Sequence, residues 1–137
     1  MFTKLLRAFA RRYAKPPQLV ILIMLSPSMK NQFEILEKAE TDIFKWAKEE
    51  GIKLYHMEFV PSHYESNGGH TIFFYETDAD LNLYNKSGVT SQVISQYFSF
   101  LRIHGYSEDD IKRNSVNFDS DENVKKNYRG SYFLRMR

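Results

Sequence analysis

Apolar positions change their period several times along this chain, and each change marks an element. Phe2, Leu5, Leu6, Phe9 and Tyr13 recur at spacings of three and four, with Arg7, Arg11 and Arg12 between them. That spacing predicts an amphipathic basic helix, ended by Pro16-Pro17. Leu19 to Leu25 is apolar at every position, the pattern of a central strand buried on both faces. Ser26-Pro27-Ser28 then opens a helix, with a Ser cap and Pro in the first turn. Phe33, Leu36, Ile43, Phe44 and Ala47 form one face of that helix, and Gly51 ends it. From Ile52 to Val60 the period falls to two, which predicts a strand with Ile52, Leu54, His56, Glu58 and Val60 on one side and Tyr55, Met57 and Phe59 on the other.

Pro61 stops this strand, and Asn67-Gly68-Gly69 marks a turn. His70 to Glu76 predicts a third strand around Ile72, Phe73, Phe74 and Tyr75. Thr77 to Gly88 reads as a polar loop. A second helix follows, with Val93, Ile94, Tyr97, Phe98 and Leu101 at helical spacing, Thr90 as its cap and Gly105 at its end. Ile111 to Phe118 predicts a fourth strand, and Tyr132-Phe133-Leu134 a short one near the C-terminus. The order is β-α-β-β-α-β. Its simplest packing is the ferredoxin-like split βαβ, a four-stranded antiparallel sheet with two helices on one face. The chain divides accordingly into a basic segment (1–17), the folded domain (18–118) and a basic aromatic tail (119–137).

Composition narrows the function classes. A chain of 137 residues, 15% of them aromatic, builds one core rich in Phe and Tyr. Without cysteine there are no disulfides, thiolate metal sites or Cys nucleophiles. The longest apolar run, Leu19 to Leu25, falls far short of the roughly 20 residues that span a bilayer, so no membrane span is expected.

Charge adds more, through its distribution. From Met1 to Phe33 the chain has six basic residues and no acid, and from Asn123 to Arg137 five basic residues and no acid. The span between, 34–122, carries all 17 acids and the other eight basic residues, a net of −9. An acidic body with two basic ends suits contact with a polyanion, nucleic acid or an anionic membrane, although tails of this kind also serve only to solubilise or to address a chain. The Arg-rich, acid-free start is similar to a mitochondrial presequence, with Arg11-Arg12-Tyr13-Ala14 placed like a matrix-protease site; the mitochondrial matrix is the expected location. A helix lying on a membrane surface and a basic helix packed on a partner remain alternatives.

Catalytic chemistry is sparse. His56, His63 and His70 are seven residues apart, with Glu58 and Glu65 nearby, but no H-x-x-x-H or H-x-H spacing gathers them, so no metal site is expected. Asp78 and Asp80 could pair for acid–base or magnesium chemistry, yet beside Asn82 and Asn85 they read as a solvated turn. Glu108-Asp109-Asp110 reads as a surface turn. No phosphate loop and no G-x-S-x-G elbow occurs. The expectation is a non-enzyme without a cofactor or small-molecule substrate. In the tail, Lys125, Lys126, Arg129, Arg135 and Arg137 alternate with Tyr128, Tyr132 and Phe133. Cations neutralise phosphates and rings stack on bases, which favours RNA; the competing reading is a C-terminal strand whose rings pack on the sheet.

Several segments together resemble the bacterial-type ribosomal protein S-six family in its mitochondrial form. They are Leu19–Leu25 followed by Ser26-Pro27-Ser28, Gly68 to Tyr75 with its Gly-led aromatic run, Leu101-Arg102-Ile103, and Asp109-Asp110-Ile111 leading into Lys112-Arg113-Asn114-Ser115-Val116. The likeness covers 18–118. The hairpin between the second and third strands lacks the family's Arg-rich stretch, the link from Ile103 to Asp109 is longer, and the tail has no family counterpart. The resemblance implies a structural protein of the small mitochondrial ribosomal subunit that binds rRNA and a neighbouring small-subunit ribosomal protein. It also implies Arg102, Lys112 and Arg113 as contacts, beside Lys125, Lys126, Arg129, Arg135 and Arg137 in the tail. The alternatives are an accessory non-catalytic subunit of another mitochondrial complex and a toxin-neutralising immunity protein whose acidic body masks a basic site. An enzyme would require His70 to meet Asp78 and Asp80 in one cleft.

Overall fold

A computed structural model describes residues 27–62 and 67–137. The elements run α1 (Pro27–Glu49), β1 (Leu54–Pro61), β2 (Gly69–Tyr75), α2 (Asp78–Ser87), α3 (Val89–Ile103), α4 (Glu108–Lys112), β3 (Asn114–Ser120), α5 (Asp121–Asn127) and α6 (Tyr132–Met136). The expected basic N-terminal helix, the strand Leu19–Leu25, the Ser26 cap, His63 and Glu65 lie outside the described residues.

α1 follows its apolar stripe: Phe33, Leu36, Ala39, Ile43 and Ala47 are buried, and Phe44 packs beside them. Gly51, at φ +73°, turns the chain out of the helix. β1 and β2 pair antiparallel from Leu54↔Tyr75 to Pro61↔Gly69, with one irregularity between Leu54 and His56. That irregularity breaks strict alternation at the start of β1 and leaves Tyr55 outside the core, 48% exposed. Beyond it the period of two holds, so Met57 and Phe59 point to one face and His56 and Glu58 to the other.

The sheet differs from the expected one. It has three strands in the order β1-β2-β3 and is mixed: β2 and β3 are parallel, from Gly69↔Asn114 to Tyr75↔Ser120. Among the described residues six helices accompany it. The ferredoxin-like four-stranded antiparallel sheet with two helices on one face is thereby overturned. In that arrangement the first strand separates the third from the fourth. Here β2 and β3 bond directly over the whole of β2, and no slot lies between them. Two physical causes act together. The connection from Glu76 to Arg113 is long enough for a crossover, and its helices α2 and α3 return the chain to the starting end of β2. The aromatic pairs Phe73–Phe118 and Tyr75–Phe118, both stacked at 5.5 Å, then require β2 and β3 to be neighbours.

Four local expectations are also corrected. The segment expected as a polar loop, Thr77 to Gly88, is helix α2. Thr77 caps it by accepting from the Asp80 N–H, and Gly88 at φ +85° closes it. The same Gly88 serves as the N-cap position of α3, so Thr90 is not a cap; its hydroxyl donates to Asn85 and shares a hydrogen bond with the Tyr75 phenol. The fourth strand begins at Asn114 instead of Ile111, because Ser107 and Asp110 form a reciprocal capping box that makes Glu108–Lys112 a helical turn. Tyr132-Phe133-Leu134 is helical, within α6.

The main core lies between the sheet and α1 and α3. Phe33 meets Phe59 edge-on at 6.2 Å, and Phe73 meets Tyr97 edge-on at 5.0 Å. A buried amide bridges elements inside it. The Gln32 side-chain carbonyl accepts from the Gly68 N–H (2.6 Å) and from the Tyr106 hydroxyl (2.9 Å), which ties α1 to the start of β2. Burial pushes the Tyr75 phenol up to about 12. Among the described residues no helix is long and apolar enough to cross a membrane.

Candidate nucleic-acid interface

The side of the sheet away from α1 and α3 carries His56, Glu58 and Val60 from β1, His70, Ile72 and Phe74 from β2, and Ser115, Asn117 and Asp119 from β3. The C-terminal tail folds back over part of it. Ser120 caps α5 by accepting from the Asn123 N–H, and Val124 is buried against Ile72 and Phe74. Arg129 and Gly130 then reverse the chain at φ +56° and +74°. Ser131 caps α6, which sets Tyr132 and Met136 on the same small cluster. The Tyr132 ring stacks on His56 at 4.1 Å and meets Phe74 edge-on at 4.8 Å. Its hydroxyl donates to Asp121 at 2.5 Å. The tail rings do pack on the sheet, as helices rather than as a strand.

This packing sorts the basic residues predicted as RNA contacts. Arg135 bonds to the buried Asp119 and lies over the Tyr128 ring, 5.8 Å from its centre. Lys125 pairs with Asp121 at 2.9 Å. Burial pushes the Asp121 carboxyl up, but hydrogen bonds from Tyr132 and Lys125 outweigh it and hold the group below the usual range. Arg102 pairs with Glu108 at 2.6 Å, and Arg113 with Asp110 at 2.5 Å. At Asp110 burial again acts upward, and hydrogen bonds from Asn67 and Ser107 together with the Arg113 charge bring the net shift down. Arg113 also donates to the Asn67 carbonyl, so it clamps the turn before β2. Lys112, Lys126, Arg129 and Arg137 are exposed, and none forms an ion pair among the described residues. Phe133, in α6, is 39% exposed.

The two basic groups do not meet. Lys112 and Arg113 precede β3 and Lys125 and Lys126 follow it, so the seven residues of β3, roughly 20 Å of strand, lie between them. On the same face, His70 bonds Ser115 through Nδ1 at 2.5 Å, and Asn117 approaches its Nε2 at 3.4 Å. Ser115 and Asn117 are exposed and His70 is half-buried. Burial and the Arg135 charge pull the His70 pKa down, so the ring is neutral at pH 7. Sequence reading treated His70 only as a metal or catalytic candidate and missed Ser115 and Asn117 altogether. The signal that could have found them is the alternation of Ser115, Asn117 and Asp119 with Val116 and Phe118.

The catalytic candidates are dispersed. His70 stands near the start of β2, while Asp78 lies beyond its end and accepts from the Ser120 hydroxyl; their separation is at least the length of β2 from His70 to Tyr75, roughly 17 Å. Among the described residues no three His, Asp or Glu side chains are placed to hold a metal ion. A cavity of about 400 Å³ opens elsewhere, between α1 and the end of α3, lined by Glu34, Glu37, Lys38, Thr41, Asp42 and His104. His104 and Asp42 are hydrogen-bonded across it at 2.5 Å.

Comparison with known proteins adds no name: no family model, no curated protein and no solved structure matches this chain.

Proposed function

We propose that the chain is a non-catalytic RNA-binding component of a ribonucleoprotein assembly. The small subunit of the mitochondrial ribosome is the specific assembly that the sequence resemblance suggests, with rRNA and a neighbouring ribosomal protein as partners. One observation carries the reading. The C-terminal cap on the sheet, acid-free over residues 123–137, spends Lys125 and Arg135 on anchoring and leaves Lys126, Arg129 and Arg137 exposed. Cations held outward on a folded cap suit a phosphate backbone. Arg102 and Arg113 serve mainly to hold α4 and the turn before β2, so Lys112 is the better contact at that end.

The test is RNA affinity across a salt series. The logarithm of the binding constant should fall linearly with the logarithm of salt concentration. Lys126→Ala and Arg129→Ala should each reduce the slope by about 0.7–1. RNA retention that is indifferent to salt and to both substitutions overturns the reading.

The acid-lined cavity on α1 favours a second reading, in which Glu34, Glu37 and Asp42 receive a basic partner protein, as an immunity protein or an accessory subunit would. In that case Glu34→Lys weakens partner binding and the tail substitutions do not.

A further inference from the structure

We propose that the outward face of β3 is a track for single-stranded RNA, running from Lys112 past Ser115, His70 and Asn117 to the C-terminal cap. The proposal rests on the RNA-binding reading above and names both the form of the RNA and the surface that takes it.

Register supplies the first argument. His70 pairs with Ser115 across the parallel ladder, and Asn117 follows two residues on, so three polar side chains stand side by side on one face. The cap covers Ile72 and Phe74 on that face but leaves Ser115 and Asn117 exposed. A sheet surface with nothing to pack against is ordinarily studded with long charged side chains. This strip is instead built of short hydrogen-bonding groups around a planar ring, and Asp119, the acid at its end, is buried and neutralised by Arg135.

Charge complementarity supplies the second. The strip is acid-free on its surface and starts from an exposed basic residue, Lys112, just before β3. The strand that follows spans about four or more nucleotides, the low end of single-stranded site sizes. Ser115 and Asn117 offer donors and acceptors to base edges, and the His70 ring they hold between them offers a stacking surface. A duplex hides its base edges from a flat sheet.

The probe is a fluorescein-labelled oligouridylate of about 12 nucleotides, compared with an adenine–uridine duplex of the same length, titrated with the full chain. The oligouridylate should bind more tightly than the duplex. His70→Ala should weaken it about tenfold through lost stacking, and His70→Phe should restore most of the loss. Asn117→Ala, at an exposed position that folding does not depend on, should weaken it several-fold, about fivefold, through lost base-edge hydrogen bonds. Neither should change the salt slope, whereas Lys112→Ala should lower the slope by about 0.7. Equal binding of duplex and single strand, or wild-type affinity for both His70→Ala and Asn117→Ala, overturns the track. If Lys126→Ala still reduces the slope in that case, the cap remains the RNA site and only the track falls. If no RNA binds at all, both readings fall together.

Discussion

Toward α1 and α3 the three strands present Met57, Phe59, Phe73 and Tyr75, each buried and packed on aromatic or aliphatic neighbours. Toward the cap the same strands present His56, Glu58, Ile72, Phe74 and Asp119, where an apolar cluster of only a few side chains is ringed by hydrogen bonds and ion pairs. The first face is held mainly by area removed from water, a non-directional force. The second depends on directional contacts: Tyr132 to Asp121, Arg135 to Asp119 and the His56–Tyr132 stack. Two surfaces of one sheet thus have separate roles. One makes the domain stable. The other holds a basic cap in a fixed place and leaves part of β3 open.

That contrast can be broken by experiment, beginning where the effect is greatest. Phe73→Ala should cost about 3–5 kcal/mol in urea unfolding and bring the cap down with the core, since the cap packs on the same sheet. Gly69→Ala tests the edge shared by both faces. A Cβ there would lie 2.4 Å from the Val60 carbonyl oxygen and 2.6 Å from the Phe59 ring. Because one obstacle is backbone, a loss of about 1–3 kcal/mol is expected by the same measurement. Tyr132→Phe removes only the hydroxyl that donates to Asp121 and should cost about 1.5 kcal/mol, the low end for a bond to a charged group because the site is half open. Hydrogen exchange should quicken in α5 and α6 while β2 and α3 keep their protection; uniform quickening would show that the two faces are not separable.

The smallest effect concerns pH. The His70 pKa is lowered by burial first and by Arg135 second, so the folded state refuses a proton that the unfolded chain accepts. Its contribution is full above the ordinary histidine value of 6.5 and is lost as pH falls from there through the folded value. Urea midpoints at about pH 7.5 and about 5.5 should therefore differ slightly more in the wild type than in His70→Asn. An unchanged difference would mean that the strip around His70 is more open to water than its half-buried ring indicates.

Legibility from sequence followed the same division. The stripe of α1 and the buried positions Val93, Tyr97 and Leu101 of α3 were readable because a helix that packs against a core repeats its apolar residues at its own period. β1 and β2 were readable to within two residues, although the irregularity near Tyr55 was not. Helix α2 was missed because it contains no buried residue, so its stripe is faint. Its ends, Thr77 with Asp80 and the closing Gly88, carried the only signal. Of the predicted RNA contacts, the sequence could name the cations but not sort them, since Arg102, Arg113, Lys125 and Arg135 were committed to acids that lie up to 16 positions away.

The sequence by itself determined the core helices, the strand cores, the acid-free character of the tail and the absence of cysteine chemistry. These are local or compositional properties, set by side-chain period and residue type. Only the tertiary structure decided that β3 runs parallel to β2, that Tyr132 to Leu134 wind into a helix, and which cations face outward. Each of those depends on residues far apart in the chain, where the free energy of packing Phe118 on Phe73, or Tyr132 on His56, outweighs the weak preference of a short segment for its own conformation.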